Sequence, residues 1–279
     1  MPNPPAAAPD AKPRTAPDAA HRASPYGAPG SLDIRAVPGL PLVAAGDDLA
    51  ALIATACRRA AMDVRDNDVL VVAQKIVSKS EGRLVQLDDV TPGAEALALG
   101  TRTGKDPRVV ELILAESNAV LRQAPGVIIV EHRCGFVMAN AGIDQSNVPA
   151  GSVLLLPKDP DRSALTLKAR CGALLGADLG IIISDSIGRA WRNGTIGHAL
   201  GVAGMSAVCD LRGMPDLYGR QLQVSETALA DNLAAAASIL MGEACEGHPV
   251  VRIRGLHDLG ERTQNGRSLL RDKSRDLFR

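Results

Sequence analysis

Apolar and polar positions along the chain fall into two rhythms. Short, nearly unbroken apolar runs predict buried strands at DVLVVAQ (68–74), LGIIIS (179–184) and GHPVVRIRG (247–255). GVIIVEHR and GFVMAN predict two more, joined by a short turn around Arg133 to Gly135. GVAGMSAV (201–208) suits another strand. Between these runs the period becomes helical. LAALIATACRRAA (49–61) follows Asp47 and Asp48, an acidic helix start. Asp106-Pro107 opens PRVVELILAES with proline at the first helical position, and Asp159-Pro160 opens a helix through about Leu175. ETALADNLAAAASILMG (226–242) places Leu229, Leu233, Ala237, Leu240 and Met241 at helical spacing. No internal repeat is visible. The mixture predicts an α/β or α+β chain, and the pattern alone does not order its strands.

The two ends differ from this middle. Residues 1–30 are rich in Pro and Ala, lack the apolar segment of a signal peptide, and read as a disordered tail. A transit peptide is the lesser reading, because the stretch is neither Arg-rich nor acid-free. Residues 31–260 then form the folded, ligand-bearing region, and 261–279 read as a polar C-terminal tail.

Composition removes several function classes. Lys plus Arg and Asp plus Glu both number 31, so no basic footprint for nucleic acid or an anionic membrane is expected. Aromatic residues make up only 2%, too few for a base-stacking platform. No apolar run reaches the length of a membrane span. The five cysteines are odd in number and form no C-x-x-C, which argues against a disulfide framework and for a reduced, cytoplasmic setting.

Familiar nucleotide and metal motifs are near misses. GTRTGKD (100–106) is one residue short of a P-loop, and Asp106 stands where a hydroxyl is needed. Gly194, Gly197, Gly201 and Gly204 do not make a dinucleotide fingerprint, the histidines show no zinc-protease spacing, and no nucleophile elbow occurs.

Four polar stretches carry the candidate chemistry. NAGIDQSN (140–147) offers Asp144 beside Ser146 and Asn147, either as a ligand set or as an Asx-turn. IIISDSIGRAWRNG (181–194) puts Asp185, Ser186, Arg189 and Arg192 at the exit of an apolar strand. A carboxylate and a hydroxyl are hard donors for Mg²⁺ or Mn²⁺, and the arginines suit phosphate; a capped turn with surface arginines is the plainer reading. MGEACEGHPVV (241–251) places Glu243 and Glu246 where a helix dipole disfavours them, a conflict that a bound cation would relieve; solvated surface carboxylates are the equally good plain reading. KIVSKSEGR (75–83) gathers Lys75, Ser78, Lys79 and Arg83 around a glycine turn, as a phosphate site or as a charged surface hairpin. Oxygen ligands and cations together, without a nucleophile triad, suit nucleotide-dependent phosphoryl transfer.

In order, VVAQKIVSKSEGR, GFVMANAGIDQSNV, IIISDSIGRAWRNG and ALADNLAAAASILMGEACEGHPVVRIRG resemble the coenzyme F420-0:L-glutamate ligases, or F420 γ-glutamyl ligases. The likeness runs from PGLPLV at 38 to RGL at 256. It implies a two-lobed α+β fold, an intertwined homodimer, and amide-bond addition of L-glutamate to a deazaflavin precursor with GTP, Mg²⁺ or Mn²⁺, and K⁺.

Residue by residue, the resemblance makes Asp144, Asp185, Ser186 and Glu243 metal ligands, Ser186 replacing a common threonine and Glu243 a common glutamine. It assigns the nucleotide to Leu40, Pro41, Leu42, Val43, Ser78, Arg83, Asn147 and the loop Met241, Gly242, Glu243, Ala244, Cys245, Glu246, Gly247 and His248. Arg83 replaces a usual lysine. Asp185, Arg189 and Arg192 are the expected catalytic group. After WRNG the chain reads TIGHALG where QTDVAIG-like sequences are commoner, so Thr195 and His198 replace polar and acidic residues. That departure keeps open a ligase with another acceptor, or a nucleotide- or deazaflavin-binding protein without ligase activity.

Overall fold

The computed structural model describes residues 30–277, so all but the last residue of the expected N-terminal tail lies outside the described residues. Strand β1 (Asp33–Ala36) precedes helix α1 (Leu49–Arg59), β2 (Val69–Ala73), α2 (Gln74–Ser80) and β3 (Leu84–Gln86). Then come α3 (Ala94–Thr103), α4 (Pro107–Ala115), β4 (Ser117–Ala124), β5 (Val127–His132), β6 (Val137–Ala139) and β7 (Ser152–Leu154). The last third holds α5 (Pro160–Leu175), β8 (Gly180–Arg189), β9 (Arg192–Ala203), β10 (Cys209–Asp210), β11 (Glu226–Thr227), α6 (Leu229–Met241) and β12 (Val250–Arg254). The fold is mixed α+β.

Its main sheet has the order β1-β12-β2-β8-β9. Only β2 and β8 pair in parallel, and the other three pairings are antiparallel. Both faces are covered, which explains the unbroken apolar runs. Alternation sends Leu70, Val72, Ile181 and Ile183 toward α1, α2 and α5, while Val69, Val71 and Ile182 pack toward α6. A separate core joins α3 and α4 to β5 and β7 through Leu99, Val110, Ile113, Ile128 and Val153.

The helix starts obey local chemistry. Asp48 accepts the Ala51 N–H at 3.2 Å, Asp106 the Arg108 N–H at 2.9 Å and Asp159 the Arg162 N–H at 3.0 Å. Such caps each contribute about 1 kcal/mol. The P-loop look-alike GTRTGKD is the last turn of α3, its left-handed stop at Gly104 (φ 68°), and the cap of α4.

Several readings are corrected. KIVSKS is not the strand of a surface hairpin but most of helix α2, ended before Gly82 (φ 67°). Its buried residues Ile76, Val77 and Ser78 follow a helical face. IIISDSIGRAWRNG is not a strand followed by a capped turn: β8 continues to Arg189 and turns at Ala190 and Trp191 into β9. GVA at 201–203 is therefore the end of long β9, and GMSAV leaves the sheet. The residues after 260 do not trail from the body. Gln264 Oε1 accepts the N–H groups of Ala207 and Val208 at 2.9 Å, and buried Gly266 donates to Asp161 at 2.6 Å.

β9 changes face partway along. Ile183 pairs with Gly201 but Ser184 pairs with Ala199, so Leu200 is an extra, bulged residue. Before the bulge Gly197 abuts α6; after it Gly201 abuts α5. A Cβ on Gly197 would meet Ala234 O at 2.3 Å, and one on Gly201 would meet Pro160 O at 2.1 Å. Both glycines are required by close backbone approach rather than by dihedral freedom. Gly201→Ala is expected to destabilise the fold by about 1–3 kcal/mol in urea denaturation. Gly188→Ala, with open space around the added carbon, should change little.

Candidate active site

The carboxyl end of β2 lies beside the middle of β8, with Ala73 in register with Ser184. Each strand is followed at that level by polar residues: Gln74 and Lys75 after β2, Asp185 and Ser186 along β8. Antiparallel β12 begins at the same end, bringing Gly247, His248 and Pro249 beside Ala73. The cleft so enclosed measures about 880 Å³. Ligands in open α/β sheets favour this position, outside the ends of parallel strands.

Acids and ammonium groups meet here. Lys75 Nζ lies 2.6 Å from Asp144 Oδ2 and donates to Ser146 Oγ at 2.7 Å. The other Asp144 oxygen accepts the Ser146 N–H at 2.6 Å, so the Asx-turn exists and contributes to the site as well. Burial works to raise the Asp144 pKa, but the Lys75 and Ser146 hydrogen bonds hold the carboxyl below its usual value. Lys79, one helical turn after Lys75, donates to Asn147 O at 2.8 Å. Burial and the neighbouring Lys75 charge both push the Lys79 pKa down, against the pull of Asp144.

Among the described residues Asp185 has no such cationic partner within ion-pair distance. Desolvation raises its pKa, the Ser186 N–H at 2.9 Å lowers it, the charge of Asp144 raises it, Lys75 lowers it and Glu243 raises it again. The net result is a carboxyl pushed up to about 7. Asn147 ties the opposite walls together, donating to Ala244 O at 3.3 Å from a left-handed backbone (φ 55°). Gly242 is needed where it stands: φ is 69°, and a Cβ would strike the Glu246 carboxylate at 2.1 Å.

Most expected site residues converge. Leu42, Val43, Asn147, Asp185, Ser186 and the whole run Met241–His248 line the cleft, and Asp144 joins through Lys75. Others lie elsewhere. Leu40 packs against the core and Pro41 is exposed beside the cleft wall. Ser78 is buried and donates to Gln74 Oε1 at 3.0 Å. Arg83 is engaged behind α2, paired with Glu116 at 2.7 Å and donating to Leu156 O at 2.8 Å. Arg189 and Arg192 face each other at the far end of the β8–β9 arm, where Arg189 donates to Gly194 O at 3.1 Å. Four residues of strand put Arg189 roughly 13 Å beyond Asp185. Within the departure TIGHALG, Gly197 lines the cleft; His198 opposes Asp185 across the ladder, and Thr195 is exposed on the arm. Lining residues not anticipated include Gln74, Ser184 and Ser238, which sequence patterns place within a strand end or a helix face and not in a polar loop.

A divalent ion fits this chemistry. Asp144, Asp185, Ser186 and Glu243 are all hard oxygen donors, and the desolvated Asp185 carboxyl is the group an added cation would most favour in its ionised form. Among the described residues no three His, Cys, Asp or Glu side chains gather closely enough to hold an ion by themselves. The remaining ligands would come from hydroxyl, water or phosphate oxygen.

Fold and cleft together define a mixed α+β protein with an acid- and lysine-lined ligand site, built on neither a P-loop nor a dinucleotide-binding turn. The family model described as F420-0:Gamma-glutamyl ligase matches residues 39–255, and the chain belongs to that family. It is 47% identical over 252 residues to the coenzyme F420:L-glutamate ligase of Methanopyrus kandleri, covering 89% of this chain and 98% of the relative. It is likewise 47% identical over 249 residues to that of Methanothermobacter thermautotrophicus, covering 89% and 99%. The Archaeoglobus fulgidus ligase is 42% identical over 248 residues, covering 89% and 96%. Among the described residues no helix is long and apolar enough to cross a membrane.

The Asp185 environment makes a signed prediction for metal-free protein. With the folded pKa raised, ionising Asp185 costs stability from about pH 4, the usual carboxylate value, up to about pH 7. In the presence of chelator, Asp185→Asn should melt above wild type at pH 7, and the difference should vanish near pH 4. Melting curves across that range check it.

Proposed function

We propose that this protein is a GTP-dependent ligase that joins L-glutamate through an amide bond to coenzyme F420-0, the deazaflavin precursor. The carrying observation is the convergence of Asp144, Asp185 and Glu243 with Lys75 and Lys79 in one cleft, in a chain that covers nearly all of relatives named coenzyme F420:L-glutamate ligases.

The chemistry follows from the charges. A carboxylate of the acceptor attacks the γ-phosphorus of GTP, GDP leaves, and an acyl phosphate forms. The glutamate amine then attacks the acyl carbon, phosphate leaves, and the amine proton is lost to solvent. Lys75 and Lys79 meet phosphate oxygens, and the loop 241–248 with Leu42 and Val43 holds the nucleotide. Mg²⁺ or Mn²⁺ held by Asp144, Asp185, Ser186 and Glu243 would supply charge neutralisation at the phosphates, with K⁺ as a second, monovalent aid. Ser78 supports this wall through Gln74.

Arg189, at the end of β8, and Arg192, at the start of β9, stand too far along the arm from Asp185 to neutralise phosphate in the cleft of their own subunit. Their part as charge-neutralising residues requires a second subunit, as in an intertwined homodimer of two-lobed chains. Mixing Asp185→Asn subunits with subunits carrying Arg189→Ala and Arg192→Ala should then restore activity, up to about a quarter of wild type if subunits exchange at random. No recovery after verified exchange would overturn the placement in trans, and full activity of the Arg189→Ala, Arg192→Ala protein alone would place the arginines outside the reaction.

The direct test is a mass-spectrometric assay with F420-0, L-glutamate, GTP and Mn²⁺, each omitted in turn. A product heavier by one or more glutamyl units, dependent on every component, is expected. Asp185→Asn should lower its rate by roughly 10²-fold or more. A folded protein that binds GTP but makes no glutamyl product would exclude this acceptor.

A further inference from the structure

Of the two cleft lysines, only Lys75 sits on a carboxylate. Its ammonium contacts Asp144 Oδ2 at 2.6 Å and Ser146 Oγ at 2.7 Å, while Asp144 Oδ1 is taken by the Ser146 N–H. Both oxygens of Asp144 are therefore engaged within the protein. Among the described residues neither Asp185 nor Glu243 forms an ion pair, so Lys75 is the cleft ammonium in direct contact with one of these acids, while Lys79 feels Asp144 from farther off. The sheet register keeps it there: Ala73, two residues before Lys75, pairs with Ser184, one residue before Asp185.

An ion that takes an oxygen from Asp144 must compete with an ammonium already bound to it. Each carboxylate oxygen has more than one lone pair, but a divalent ion on Oδ2 would stand close to the ammonium already there and repel it. Once displaced, a lysine head on its flexible four-carbon stem stays within the same cleft, where it can meet an anion. We propose that Lys75 is a placeholder cation that couples metal binding to nucleotide binding. It holds Asp144 and Ser146 when no divalent ion is present, and turns to the phosphates when an ion takes Asp144. The proposal rests on the reading of this cleft as a metal and nucleotide site. It adds that the two ligands communicate through one side chain, an energetic coupling that must be reciprocal.

The test is calorimetric titration of wild type and Lys75→Gln with Mn²⁺ alone, and with Mn²⁺ in the presence of GTP. Removing a competing charge-assisted bond should tighten Mn²⁺ binding without nucleotide by on the order of tenfold. This is opposite to what a damaged site would show. The same variant should bind GTP more weakly at saturating Mn²⁺, and GTP should enhance its Mn²⁺ affinity less than in wild type. Ser146→Ala, which loosens Lys75 without removing it, should show a smaller gain of the same sign and keeps the test decisive if Lys75→Gln misfolds. Unchanged or weaker Mn²⁺ binding in folded variants overturns the placeholder role while leaving the metal site standing. Failure of wild type to bind Mn²⁺ with or without GTP overturns both.

Discussion

β2 and β8 are the one parallel pair of the main sheet, and both are packed on both faces. That pairing sets the position of everything chemical in the molecule. β2 stops at Ala73, level with Ser184 midway along β8, so Gln74 and Lys75 after the one strand meet Asp185 and Ser186 within the other. Antiparallel β12 must start where β2 ends, which adds the loop from α6. The core that enforces this register consists of aliphatic side chains, each worth roughly 1.5–3 kcal/mol when fully buried. A slip by one residue would exchange the two faces of β2 and bury its outward set against the wrong helices.

The cleft concentrates like charge on partly buried carboxyls. Asp144 tolerates this because Lys75 and a backbone N–H engage it; Asp185 does so only with its carboxyl pushed up to about 7. Such an arrangement weakens the empty protein slightly and favours any state in which a cation enters. The loops concerned are anchored, not loose: Lys79 and Asn147 tie the 144–148 loop to α2 and to the 243–247 loop. Positioning is thus built in before any ligand arrives, which is what electrostatic catalysis needs.

The long β8–β9 arm belongs to a different scale. Its inner half is core, with Gly197 and Gly201 letting α6 and α5 come close on opposite faces. Its outer half carries exposed Trp191, Arg192 and Thr195 beyond the body of the sheet. One strand therefore serves packing at one end and surface chemistry at the other, and the bulge at Leu200 is where the change of face occurs.

Local patterns in the sequence were enough to determine the buried strands around 69–73, 180–184 and 250–254, the helix starts after Asp48, Asp106 and Asp159, the helix at 229–241 and the failure of GTRTGKD as a P-loop. Each depends on neighbours within a turn or two, where periodicity and capping act. Strands β1 and β4 escaped because four residues give little period, and because most of β4 is exposed and lacks apolar alternation. Helix α2 escaped because charges beside Gly82 look the same on a hairpin as on a short helix, although Lys75 and Lys79 at one-turn spacing carried the signal. The motif order named the cleft residues, but only tertiary structure decided that Lys75 meets Asp144, that Arg83 turns to Glu116 and that Arg189 ends far from Asp185. Those outcomes depend on strand register and helix placement between segments dozens of residues apart, and periodicity within one segment holds no information about its distance from another.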